Sequence, residues 1–138
     1  MKRLLAGVLF TVIVCTAAPI QNSEQYTRCI EKATTQTAMH VCANEEAQRA
    51  DAELNDIYQK LVSAAGNQAD AVEKIRFAER AWIAYRNAYI EAMYPAKDKQ
   101  GAYGSTFSMD VDLLRARLTW QQTTALKDLL KQYAGSKQ

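Results

Sequence analysis

The sequence predicts an all-α domain: an antiparallel three-helix bundle with a short N-terminal helix tethered by a disulfide. The chain has 138 residues, is 49% apolar and contains only 5 Gly and 2 Pro, a composition typical of one helix-rich domain. Apolar residues recur at steps of three and four along three long segments. Cys29 and Cys42 lie close in the sequence, so they can tie a short first helix to the next one.

The central helix is predicted over residues 76–93, which contain no glycine or proline. Its apolar residues form one stripe, comprising Ile75, Ala78, Trp82, Tyr85, Tyr89 and Met93. Trp82 and Tyr85 are large side chains that need neighbours on their apolar bodies. We therefore expect this stripe to face the other helices, with Trp82 largely buried.

Two other long helices should flank the central one. The first is predicted from Gln36 to Gly66, with Thr35 as its N-cap. Its stripe comprises Met39, Ala43, Ala47, Ala50, Leu54, Ile57, Leu61 and Ala65. The second follows Ser105 or Thr106, ends near Gly135 and has Val111, Leu114, Leu118, Ala125 and Leu129 as its stripe. Short connections imply antiparallel neighbours.

The N-terminus has the three-part layout of a secretory signal. Lys2 and Arg3 precede an apolar run at residues 4–14, and small residues follow at 16–18. The run is shorter than the roughly 20 residues that a membrane-spanning helix needs. We therefore expect residues 1–17 to be a signal peptide, residues 18–138 to be the helical domain, and the protein to be periplasmic or secreted.

The charge balance argues against nucleic acid and membrane partners. Loss of Lys2 and Arg3 with the signal would lower Lys+Arg from 17 to 15, equal to the 15 Asp+Glu. A net charge of zero provides no footprint for nucleic acid and no attraction to an anionic membrane. We therefore expect no nucleic acid partner and no stable membrane insertion after cleavage.

In an oxidising compartment, Cys29 and Cys42 favour a disulfide over a metal site. A continuous helix between them would hold the sulfurs roughly 20 Å apart, beyond the reach of a disulfide. The chain should therefore reverse between them, with Thr34 and Thr35 as the turn. Two buried free thiols are the alternative.

Catalytic chemistry has little support in the sequence. The chain has one histidine, His40, and lacks a glycine-rich phosphate loop or a catalytic serine motif. Glu45 and Glu46 point to different sides of a helix and are expected on a solvated face. We predict no enzyme activity, no cofactor and no metal site.

Polar residues beside the apolar stripes suggest contacts between helices. Asp51, Asn55 and Tyr58 recur at steps of three and four, and Arg80 and Arg86 lie on the central helix. We predict a structural polar network that fixes helix register, with a ligand site as the alternative.

Two motifs resemble the LprI-like lysozyme inhibitor domain. They are A-D-A-E-L-N-D-I-Y at 50–58 and R-A-W-I-A-Y-R at 80–86. The cysteine pair, Gly104-Ser105 and Leu118-Thr119 are shorter matches to the same pattern. The resemblance covers Cys29 to Leu130 and implies a small secreted helical domain, with lysozyme inhibition in some members. The sequence departs from the pattern at Tyr89 and Leu114, where relatives commonly have cysteines, and at Gln122, where an arginine is usual.

A lysozyme inhibitor needs a surface that meets a cleft with two carboxylates. The predicted contact is the irregular segment 94–105, where Lys97 and Lys99 can pair with carboxylates and Tyr94 and Tyr103 can act as aromatic anchors. A plain solvated connection is the alternative for this segment. The alternative function is a protein-interaction module, such as an immunity or envelope accessory protein, that uses an exposed helix face.

Overall fold

The computed structural model describes residues 22–135, and the predicted signal peptide lies outside them. This part of the chain is all-α, as predicted, and contains no strand. Its helices are α1 (Glu24–Lys32), α2 (Gln36–Ala65), α3 (Ala69–Met93), α4 (Lys99–Tyr103) and α5 (Phe107–Gly135). Between residues 22 and 135, no helix has the length and apolarity needed to cross a membrane.

The predicted limits of α2 are confirmed by its capping geometry. The Thr35 hydroxyl accepts a hydrogen bond from the backbone N–H of Ala38 at 3.1 Å. At the other end, Gly66 has φ = 56°, a backbone conformation that glycine adopts without steric cost. Local side-chain chemistry therefore sets both ends of this helix.

Helices α2 and α5 form the main packed pair and run in the same direction. Gln36 donates a hydrogen bond to Ser105 at 2.8 Å, and His40 Nδ1 lies 2.9 Å from the Ser108 hydroxyl. Later residues of α2 therefore meet later residues of α5, as in a parallel pair. The predicted stripe of α2 is buried from Ala43 to Ala65. Around Ala50 and Ala116, both fully buried, small side chains allow the two helices to approach closely.

The buried face of α5 is broader than the predicted stripe, since Ala116, Thr119 and Thr123 are also buried, and the prediction is wrong at Ala125. Ala125 is exposed and Leu126 is buried instead, in the cluster with Leu61 and Ile75. A step of seven residues falls slightly short of two helical turns, so the face drifts along a long helix. Leu126 lies eight residues after Leu118 and so falls on the buried face. Its side chain is larger than that of Ala125, so its burial removes more apolar area from water.

The inward face of α3 is rotated relative to the predicted stripe. Tyr85 and Met93 are 56% and 49% exposed, and Trp82 is only partly buried. The partly or fully buried residues on its inward line are Ile75, Glu79, Trp82, Arg86 and Ile90. Two of these five, Glu79 and Arg86, are charged. A prediction based on apolar residues alone therefore chose the adjacent face of the helix. Helix α3 runs back along the pair, with Ile75 against one end of α2 and Arg86 against Asp51 further along.

Helix α1 is held to α2 by the predicted disulfide. Cys29 and Cys42 are bonded, with their Cα atoms 5.7 Å apart. The reversal between them lies at residues 33–35, as expected from the reach of a disulfide. No residue of α1 is fully buried, so the covalent bond contributes much of its attachment.

Glu46 makes a second attachment of α1 and corrects the expectation of a solvated carboxylate. Its side chain is fully buried. It accepts hydrogen bonds from the Ser23 backbone N–H at 2.8 Å and from the Ser23 hydroxyl, and another from Trp120 Nε1 at 3.0 Å. An ion pair to Arg49 at 3.1 Å completes the site. One carboxylate thus joins the start of α1 to both α2 and α5.

Candidate protein-interaction surface

A polar cluster joins α2, α3 and α5 near the middle of the molecule. Arg86 Nη1 lies 3.1 Å from Asp51 Oδ1 and 3.5 Å from the Thr119 hydroxyl. The Arg86 guanidinium also stands 4.9 Å from the centroid of the Trp82 ring, in cation–π geometry. Thr119 is fully buried and donates to Asp51 at 3.4 Å. These contacts fix the rotation of α3 about its own axis.

The structure brings together only part of the predicted polar network. Asp51 and Arg86 pair directly, whereas Asn55 and Arg80 are exposed and make no hydrogen bond with them in the described chain. Tyr58 packs instead against the apolar cluster around Leu61. The residues that contact the Asp51–Arg86 pair are Thr119 and Trp82, and not the predicted Asn55 and Arg80.

Glu79 lies one helical turn from Trp82 on the inward line of α3. Its Oε2 atom is buried without a hydrogen-bond partner among residues 22–135. Burial raises the pKa of the Glu79 carboxyl, and the positive charge of Arg86 offsets only part of this shift. The folded state therefore favours the protonated form of Glu79. The resulting stabilisation is present at low pH and is lost as pH rises through the raised pKa.

The opposite side of α3 carries a row of exposed apolar residues. Phe77, Ala81, Ala84 and Ala88 recur at steps of four, three and four, and all are exposed. Tyr85 borders this row, and its ring lies 5.8 Å from that of Tyr89. We call Phe77, Ala81, Ala84, Tyr85 and Ala88 the outer face of α3.

Large exposed apolar side chains concentrate on this helix. In the described residues they are Val41, Phe77, Ile83, Tyr85 and Met93, and four of the five belong to α3. Phe77 is 66% exposed and Tyr85 is 56% exposed. Scattered apolar residues are normal on a protein surface, whereas contiguous apolar patches mark interaction sites. The outer face of α3 is therefore the candidate interaction surface.

Two arginines border the outer face of α3 without a partner in the described chain. Arg76 and Arg80 are exposed, one turn apart, and take part in no hydrogen bond or ion pair there. With Glu73 and Val72 they line a groove of about 510 Å³ beside the turn between α2 and α3. The groove therefore carries unpaired positive charge at the border of the outer face of α3.

The segment predicted as the partner-binding loop is folded rather than irregular. It contains α4, which begins where the Asp98 carboxylate accepts a hydrogen bond from the Gly101 backbone N–H at 2.9 Å. Prediction missed this helix because five residues are too few to show a periodic pattern.

Most of the side chains singled out in this segment already have partners. The rings of Tyr94, Tyr103 and Phe107 form one cluster, with centroids 5.2 to 5.6 Å apart. Lys99 pairs with Glu91 at 2.8 Å and donates to the Tyr94 carbonyl. Lys97 is exposed. The two tyrosines therefore brace the segment against the start of α5.

Comparison with known proteins places this architecture in a family. Residues 29–126 match the family described as lysozyme inhibitor LprI, a stretch that includes the Cys29–Cys42 bond, the Asp51–Arg86 pair and the outer face of α3. The chain belongs to the LprI family. An uncharacterized protein of Rhizobium meliloti (strain 1021) is 32% identical over an alignment of 138 positions, which covers 91% of this chain and 95% of that protein. No solved structure matches this LprI family member.

Sequence reasoning missed the outer face of α3 although its signal was present. The row from Phe77 to Ala88 has the same spacing as the stripe that was chosen, so α3 carries two apolar faces. The choice between them depends on Arg86, whose partner Asp51 lies 35 residues away in the sequence. In this LprI domain the polar pair turns one apolar face inward and leaves the other exposed.

Proposed function

We propose that the protein is an exported inhibitor that binds lysozyme through the outer face of α3 and has no catalytic activity of its own. The LprI family match over residues 29–126 supports lysozyme as the partner. In this proposal, residues 1–17 are removed as a signal peptide, and residues 18–138 act in the periplasm or outside the cell without a cofactor. Helices α2, α3 and α5 then serve as the predicted three-helix bundle, in which α3 runs antiparallel to both α2 and α5 and is presented to the partner.

The exposure of Phe77 and Tyr85 on one helix face is the observation that supports this surface most strongly. Aromatic side chains are enriched among the residues that contribute most to protein–protein binding. On the inward side of α3, the Arg86–Asp51 ion pair and the buried Ile75 and Ile90 hold the helix against the rest of the domain. A surface that is ordered before binding loses less conformational entropy when the partner arrives.

The segment 94–105 is the alternative contact surface. Lys97 is exposed and can reach a partner carboxylate. The rings of Tyr94 and Tyr103 pack against each other with centroids 5.2 Å apart, so each offers a partner less free area than Phe77 does. This difference favours α3 over the segment.

The test is a titration of lysozyme turnover of peptidoglycan with the purified exported protein, residues 18–138. We expect inhibition, and we expect Phe77→Ala with Tyr85→Ala to raise the inhibition constant by at least about tenfold, because two aromatic anchors are lost. Val41→Ala is the matched control, since Val41 is 52% exposed on a different helix. It should leave the inhibition constant within about twofold.

Two results would redirect the proposal. Unchanged turnover at a large molar excess of the protein would remove lysozyme inhibition and leave an immunity or envelope accessory protein as the alternative. Inhibition that is insensitive to Phe77 and Tyr85 but lost on Lys97→Ala would move the contact to the segment 94–105.

A further inference from the structure

We propose that Arg76 and Arg80 bind the two catalytic carboxylates of the lysozyme cleft. This inference rests on the function proposed above and names the residues that would contact the catalytic groups. Both arginines lie at the border of the outer face of α3, and both line the groove beside the turn between α2 and α3. Each guanidinium offers a planar set of donors that matches a carboxylate in bidentate geometry.

The spacing of the two arginines fits the chemistry of the target. Residues four apart on a helix have Cβ atoms about 5–6 Å apart. Retaining glycosidases, with lysozyme as the type case, hold their two carboxyl groups about 5–5.5 Å apart. The two side chains thus leave α3 at points about as far apart as the two carboxyl groups, so each guanidinium group can meet one carboxylate without a change in the helix.

The two arginines are also free to bind, which distinguishes them from Arg49 and Arg115. Arg49 pairs with Glu46 at 3.1 Å and Arg115 with Asp112 at 2.8 Å, whereas Arg76 and Arg80 have no such partner between residues 22 and 135. Binding to a cleft carboxylate would therefore break no existing ion pair. Phe77, adjacent in sequence and 66% exposed, supplies apolar contact area next to the charges.

One negative charge opposes this arrangement and provides an internal check. Glu73 lines the same groove and forms no ion pair with Arg76 in the described chain. Its carboxylate would repel the cleft carboxylates at close range. Glu73→Gln should therefore lower the inhibition constant, the opposite of what loss of an ordinary surface contact would do.

The experiment compares inhibition constants for the wild type, Arg76→Gln with Arg80→Gln, and the control Arg117→Gln. Arg117 is an exposed arginine on α5, outside the outer face of α3. Measured couplings between close charge pairs at interfaces correspond to at least about tenfold in affinity each. We expect the double variant to weaken inhibition about 100-fold or more and Arg117→Gln to change it less than threefold.

A second arm replaces the two catalytic carboxylates of lysozyme with amides and measures binding to the inactive enzyme directly. Wild-type affinity should fall, and the double arginine variant should bind this enzyme as well as the wild type does. That loss of effect identifies the carboxylates as the partners of the arginines.

The possible outcomes separate the two claims. Absence of inhibition by the wild-type protein overturns the proposed function and this inference with it. Full inhibition by the double arginine variant overturns the inference and leaves the function standing. Equal losses from Arg117→Gln, or an arginine effect of the same size on the amide enzyme, would indicate general electrostatic attraction and also overturn it.

Discussion

Replacement of Glu46 by alanine should lower the free energy of unfolding by about 3–5 kcal/mol, because it breaks a buried charge network. The carboxylate is fully buried and accepts from Ser23, Trp120 and Arg49. Its removal leaves the Trp120 N–H without its acceptor. Arg49, whose side chain is 30% exposed, would keep only the exposed Glu45 as an ion-pair partner. Urea denaturation at pH 7, followed by tryptophan fluorescence, measures the loss.

Glu45 provides the matched control, because its side chain is 51% exposed and lies 3.7 Å from the same Arg49. Glu45→Ala should cost less than about 1 kcal/mol, the range of exposed ion pairs. Equal losses from the two alanine variants would contradict the structural role assigned to Glu46.

The same carboxylate should make stability depend on pH. Burial acts to raise the pKa of Glu46, but hydrogen bonds from Ser23, Trp120 and Arg49 outweigh it and hold the pKa below its ordinary value. The stabilisation is therefore present above the unfolded pKa of about 4.3 and is lost as pH falls through the lowered pKa. The free energies of unfolding of the wild type and Glu46→Ala should therefore become more similar as pH falls through this acid range. Glu79 acts in the opposite sense, since its pKa is raised by burial.

Replacement of Cys29 and Cys42 by serine should lower the free energy of unfolding by about 2–4 kcal/mol. Loss of the crosslink increases the freedom of the unfolded chain, and α1 has no fully buried residue to replace the bond. Hydrogen exchange should show loss of protection at residues 24–32, while α2 and α5 remain protected because their packing is untouched.

The reduced wild-type protein is the control for this change, because it keeps the cysteine side chains and loses only the covalent bond. It should show the same loss of protection as the serine variant. Unaltered protection of α1 in both forms would mean that the Ser23–Glu46 contact alone holds this helix.

The features that were predictable from the sequence depend on nearby residues. Thr35 and Gly66 mark the ends of α2 because capping hydrogen bonds and a positive φ act within one turn of the chain. The bond between Cys29 and Cys42 was predicted from an expected oxidising compartment and from a sequence separation of only 13 positions. In each case the physical cause lies inside a short segment.

The features that were not predictable depend on distant partners. Glu46 has the same local sequence character as Glu45, and only Ser23 and Trp120, 23 and 74 residues away, make it a buried acceptor. The rotation of α3 likewise depends on the Arg86–Asp51 pair between helices. A single sequence shows that these residues are polar, but not which of them meet.

Oxidative labelling of aromatic side chains, with and without bound lysozyme, tests the proposed contact surface most directly. Phe77 and Tyr85 are 66% and 56% exposed and should react readily in the free protein. We expect both to be protected when lysozyme is bound, while Tyr94 and Tyr103, which already pack together, change little. Protection confined to Tyr94 and Tyr103, with Phe77 and Tyr85 still fully reactive in the complex, would contradict an inhibitor that binds through α3.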